Sequence, residues 1–208
     1  MHFLLFLFLA SSAFAELLQF GPTTAEPIAG VAVPSTIVVN AKDRKAEVFL
    51  TGAGIRTKKV VLLKVDVYVG ANYLDRDKKI SVENPMSTIA ASKFKVMTLT
   101  FLRDIDNAKI RESFIDALKE NGVDVEKQPY KKFLDGVRFD IKEKDRWTFV
   151  GMPGMDISQT VVLETPKGRL EGSGPGFADN FWKMWFAKTI DGGVEELKEK
   201  LVGSKQDK

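Results

Sequence analysis

The stretch from Gly52 to Leu74, GAGIRTKKVVLLKVDVYVGANYL, constrains the fold more than any other part of the chain. Its apolar residues recur every second position, with Val61, Leu63, Val65, Val67 and Val69 on one face and Lys64, Asp66 and Tyr68 on the other, the period of a β-strand. Arg56 shares the parity of Tyr68 unless a bulge or break near Thr57 to Lys59 resets it. A guanidinium and a phenol set among apolar neighbours demand hydrogen-bond partners. An acidic or carbonyl-bearing ligand accepting from both would satisfy them, and an arginine paired with a structural acid such as Asp66 is the plainer arrangement.

The segments around this run set the fold class. Glu16 to Thr36 carries Gly21-Pro22, Pro27 and Pro34 and reads as a loosely structured arm leading to a first strand around Ile37 to Asn40. A strand over Lys45 to Thr51 is followed by a turn at Gly52-Ala53-Gly54, and another strand spans Ile89 to Leu102. Asp106 is placed to cap a helix that Gly122 closes, with Ile110, Phe114 and Leu118 on one stripe. A shorter helix holds Tyr130, Phe133 and Leu134 between Pro129 and Gly136. Strands return at Trp147 to Met152, Thr160 to Thr165 and Arg169 to Glu171. An aromatic helix, Phe177 to Ala187, and an amphipathic one with Val194, Leu197, Leu201 and Val202 as its stripe complete the chain. Strands then helices, twice over, is the pattern of an α+β fold: an antiparallel β-sheet with a layer of helices on one face.

The amino terminus limits the chemistry available. Phe3 to Ala10 is apolar and leads into Ser11-Ser12-Ala13-Phe14-Ala15, whose small residues fit a signal-peptidase site before Glu16, although no lysine or arginine precedes the run. We expect a signal peptide at 1–15, an arm at 16–36, one domain at 37–203 and a disordered tail at 204–208, in a protein exported to the periplasm or beyond. The apolar run is too short to span a bilayer, so no stable anchor is expected after cleavage. The single histidine is His2 and there is no cysteine, so the mature chain would lack zinc ligands of those types, Ser-His-Asp and Cys-His catalysis, and disulfides. No cofactor or metal is expected. A net charge of +3 with lysines and aspartates interleaved argues against a nucleic-acid partner.

Several features in order resemble the chalcone isomerase superfamily, in particular its exported bacterial and fatty-acid-binding branch. They are Gly52-Ala53-Gly54-Ile55-Arg56, then Val67-Tyr68-Val69 and Tyr73-Leu74-Asp75, then the segment Leu99 to Asp106 with its helix, and the aromatic helix from Phe177. The resemblance implies an open-faced sandwich of sheet and helices. It also implies that Arg56 contacts a ligand, a carboxylate in the fatty-acid-binding members and the oxygen region of an enone in the isomerases. Tyr68 falls where the enzymes have a threonine. The tyrosine and asparagine that the isomerases use on the helix after Asp106 fall here on Ile110 and Ala117, unless a shift of alignment recruits Asn107 or Asn121. Neither Ile110 nor Ala117 moves a proton.

The expected function is therefore binding of a hydrophobic, fatty-acid-like carboxylate by Arg56 and Tyr68 without catalysis. The alternative is an intramolecular lyase of the chalcone isomerase type acting on an enone, with Arg56 stabilising the developing enolate. A third reading is a ligand-free interaction scaffold. The aromatic stripe of Phe177 to Phe186 reads mainly as core, and Gly172-Ser173-Gly174-Pro175-Gly176 as a turn, since it lacks the lysine of a phosphate loop.

Overall fold

The computed structural model describes residues 16–41, 44–61, 63–75 and 79–203. The expected signal peptide and tail lie outside them. Eight strands follow one another in chain order and in space: β1 (Leu18–Phe20), β2 (Thr36–Ala41), β3 (Arg44–Val60), β4 (Leu63–Leu74), β5 (Lys95–Phe101), β6 (Arg146–Pro153), β7 (Ser158–Thr165) and β8 (Gly168–Pro175). Every neighbouring pair is antiparallel, because each connection, whether a short turn or a longer segment that carries helices, returns the chain beside the strand it has just left. Helix α1 (Pro85–Ala90) precedes β5, α2 (Asn107–Glu120) and α3 (Tyr130–Gly136) precede β6, and α4 (Phe177–Phe186) and α5 (Gly192–Leu201) end the chain. The α+β architecture expected from the sequence is the one observed.

Alternation along the strands divides the apolar residues between two cores. On one face Leu74, Met97, Leu99, Phe101, Trp147, Phe149, Val161 and Leu163 meet the buried stripes of all five helices. On the other, Ile37, Val39 and Val48 from β2 and β3 join Val69, Ala71, Tyr73, Val96, Val150 and Val162, and no helix contributes. The sheet curls so that its first strands cover this second face. Phe20 on β1 accordingly lies under the Arg146 guanidinium of β6, 4.9 Å from ring centroid to cation.

Four sequence expectations change, the first being that Gly172-Ser173-Gly174-Pro175, read as a turn, is the paired second half of β8. Gly52-Ala53-Gly54 is not a turn but the middle of the 17-residue β3, and the reversal comes instead after Val60. Ile89 belongs to α1, which starts at Pro85 behind the Asn84 side chain that accepts from the Ser87 N–H, so the strand begins only at Lys95. The arm contains β1 and buries Leu17, Leu18 and Val33 in the second core. Its Ala29-Gly30 pair, at φ of +47° and +76°, makes a tight reversal that lets Ile28 and Val31 bridge.

Candidate functional site

A cavity of about 550 Å³ opens between the outer half of the β3–β4 hairpin and helices α2, α4 and α5. Glycines set its shape. A Cβ on Gly52 would fall 2.2 Å from the Lys200 carbonyl oxygen, and one on Gly54 would fall 2.7 Å from the Lys200 Cβ, so these residues are bare because α5 lies directly on the strand. Gly70, paired with Gly54 across the hairpin, faces Leu197 of the same helix. At the other end of α5, a Cβ on Gly193 would sit 1.8 Å from the Thr57 carbonyl oxygen. The helix is thus held with its N-terminus beside Arg56.

Arg56 and Tyr68 are directly opposite each other in the β3–β4 register, and both line the cavity. The register shifts beside them, Arg56 pairing with Tyr68 and Thr57 with Asp66, which leaves Val67 as the extra residue of a bulge. The strand parity of the sequence reading is reset there. Val67 and Tyr68 both belong to the helix-side core and Val69 to the other.

Arg56 is 5% exposed and its guanidinium is not alone. Its Nη2 donates to Asp191 Oδ2 at 2.6 Å, whereas Asp66, the acid considered from sequence, is exposed. The second oxygen of Asp191 accepts from the backbone N–H groups of Gly193 and Val194, so one carboxylate caps α5 and holds the arginine. Arg56 Nη1 is buried without a hydrogen-bond partner. The Tyr68 hydroxyl accepts from Trp185 Nε1 at 3.2 Å, which leaves its own proton to donate. Burial pushes this phenol above its ordinary pKa, against smaller lowering contributions from the Trp185 hydrogen bond and the nearby Arg56 charge, so it is neutral and a donor at physiological pH.

Helix α2 supplies an apolar wall. Ile110 and Ala117 line the cavity with Phe114, and Ser113 is the one hydroxyl among them. Asn107 donates to Asp140, and Asn121 caps α2 while bonding Lys188, so neither reaches the cavity. From α4 only Met184 and Trp185 face the space, the other aromatic residues being core. The rim carries Lys58, Lys59, Arg103 and Lys109 against the carboxylates of Asp104 and Asp106. Asp104 is engaged by Lys142, and Asp106 caps α2.

The sequence reading missed Asp191 and the specific role of Trp185. The signal for the first was present: Asp191-Gly192-Gly193 stands just before the Val194, Leu197, Leu201 stripe, the place of a helix N-cap. Other buried polar groups lie away from the cavity. Lys95 pairs with Asp179, which also bonds Gln159, and Asn72 joins Thr51 to Trp182. Among the described residues no three His, Cys, Asp or Glu side chains gather as a metal site, and no helix is long and apolar enough to cross a membrane.

The architecture and the sequence both have known counterparts. The Arabidopsis thaliana fatty-acid binding protein AtFAP1 superposes with a TM-score of 0.59 at 16% identity, over 88% of this chain and 97% of the other. No curated protein matches the chain. The profile of the family described as chalcone isomerase-like matches residues 25–203, spanning the sheet from β2 onward and all five helices. The chain belongs to the chalcone isomerase-like family.

Proposed function

We propose that this protein is an exported, non-catalytic carrier of a hydrophobic carboxylate of the fatty-acid type, with the carboxylate held at Arg56 and Tyr68 and the tail along the apolar wall. One observation carries the reading: Arg56, buried and with one guanidinium nitrogen lacking an acceptor, is a lining residue of a cavity whose size suits a small ligand. The Tyr68 proton is a second donor directly across the hairpin. The absence of proton-moving groups at Ile110 and Ala117 supports binding over turnover, and the fold shared with AtFAP1 accords with it. Export rests on the amino-terminal apolar run, and finding Glu16 as the first residue of the mature protein would check it.

A charge-assisted contact contributes about 1.5–3 kcal/mol, and each buried methylene about 0.8 kcal/mol. Arg56→Ala should therefore weaken fatty-acid binding by about 10- to 100-fold, while each pair of added methylenes strengthens it by about tenfold until the cavity is full. Mass spectrometry of extracted lipid and titration with saturated acids of increasing length measure both. A protein that yields no lipid and takes up no fatty acid would defeat the proposal. Loss of chalcone absorbance that depends on Arg56 would establish the lyase instead.

A further inference from the structure

The tip of the β3–β4 hairpin carries apolar side chains into solvent. Val60 is 51% exposed, Val61 86% and Leu63 72%; Val82, Met155 and Ile157 are exposed to a similar degree, but none of these three lines the cavity. Val61 is also poorly suited to the backbone it adopts. Val61 has φ of +57°, a left-handed conformation that glycine or asparagine adopts freely and that strains a β-branched side chain. Asparagine or glycine at position 61 would close this hairpin with less strain, so folding alone does not explain an exposed valine here.

The tip is continuous with the cavity. Strand alternation places Leu63, Val65 and Val67 on one face, with Val60 directly across from Leu63. Val60, Val65 and Val67 line the cavity, so an apolar strip runs from its interior to the exposed end of the hairpin. Lys58 and Lys59 flank that strip, exposed and without an ion-pair partner among the described residues. Arg103 and Lys109 stand exposed on the opposite lip. Lys64 is neutralised by Glu196 and Asp104 by Lys142, so Lys58, Lys59, Arg103 and Lys109 face the one remaining lip carboxylate, Asp106, and the mouth is positive.

We infer that this tip docks on the surface of an anionic lipid bilayer, with Val60, Val61 and Leu63 entering the headgroup boundary and the lysines meeting lipid phosphates. Apolar residues ringed by cations are what an interfacial contact requires. Docking presents the cavity mouth to the membrane, where a hydrophobic guest can pass along the valine strip without crossing water. The inference goes beyond the binding proposal, and its test reads docking apart from ligand content.

The experiment is co-sedimentation with vesicles of phosphatidylcholine alone or mixed with phosphatidylglycerol. The wild type should pellet with the anionic vesicles, less with neutral ones, and less as salt rises. The double variant Val61→Asn and Leu63→Ser should lower partitioning by about tenfold or more. Asn suits the left-handed position, so the fold is retained. Lys58→Ser with Lys59→Ser should cost about fivefold per lysine on anionic vesicles and little on neutral ones. Every variant carries the same amino-terminal run, so differences between them report the tip. Wild-type protein that stays in the supernatant with anionic vesicles, or variants that pellet as the wild type does, would overturn the inference whatever lipid the cavity holds.

Discussion

Asp191 does two things at once, and separate substitutions take them apart. Asp191→Ala removes the side-chain acceptor for the Gly193 and Val194 N–H groups, worth about 1 kcal/mol as an N-cap. It also strips the partner from the guanidinium of Arg56, a residue that is 5% exposed. Breaking a fully buried pair costs about 3–5 kcal/mol, but the Asp191 side chain is 36% exposed, so screening by water brings the loss nearer 1–2 kcal/mol. The expected destabilisation is about 2–3 kcal/mol. Asp191→Asn keeps the cap, since asparagine serves there as well as aspartate, and should cost only about 1 kcal/mol. Urea unfolding followed by the fluorescence of the buried Trp147, Trp182 and Trp185 measures both.

Ligand affinity should move the opposite way from stability. Two carboxylates on neighbouring nitrogens of one guanidinium lie on the order of 5 Å apart, where repulsion at an effective dielectric of about 20 approaches 3 kcal/mol. Exposure of Asp191 reduces that to about 1 kcal/mol, so Asp191→Asn should tighten fatty-acid binding by about fivefold. A fall in affinity comparable to that of Arg56→Ala would refute the idea that Asp191 and the ligand compete for the same cation.

Gly193→Ala should cost about 3 kcal/mol or more, because its Cβ would meet the Thr57 carbonyl and the Arg56 guanidinium, whereas Gly192→Ala, with nothing within 4 Å, should be near neutral; equal urea midpoints for the two would show that α5 is not pressed onto β3. Burial raises the pKa of Tyr68 and of Tyr73, so each phenol ionises more readily in the unfolded chain than in the native one. Their contribution is complete below the unfolded value of about 10 and is lost as pH rises past it, so the urea midpoint should fall between pH 9 and 11 and fall less in Tyr68→Phe; a flat profile would contradict the burial of both hydroxyls.

Much of the fold was legible because it depends on local rules. The cap at Asp106 and the stop at Gly122 bound α2 as expected, since capping and left-handed closure are properties of neighbouring residues. The Phe177 helix and the strands β6 and β7 follow from hydrophobic period alone, whereas the glycine-rich second half of β8 does not. The glycines misled for an equally physical reason. Gly52 and Gly54 look like a turn because turns need glycine, but here they answer to a helix whose residues lie some 150 positions downstream in contact with Thr51 and its neighbours. No local signal distinguishes a glycine that bends from one that makes room.

The sequence by itself determined the alternation of strands and helices, the family, and the placing of an arginine and a tyrosine within one apolar run. Only the tertiary structure decided that these two stand face to face, that a bulge at Val67 turns Tyr68 toward the helices, and that Asp191 and Trp185 reach them from the far end of the chain. Secondary structure is written in periods of two and 3.6 that a short window contains. A binding site is assembled by contacts between segments distant in sequence, and those are fixed only when the sheet curls and the helices settle onto its bare glycines.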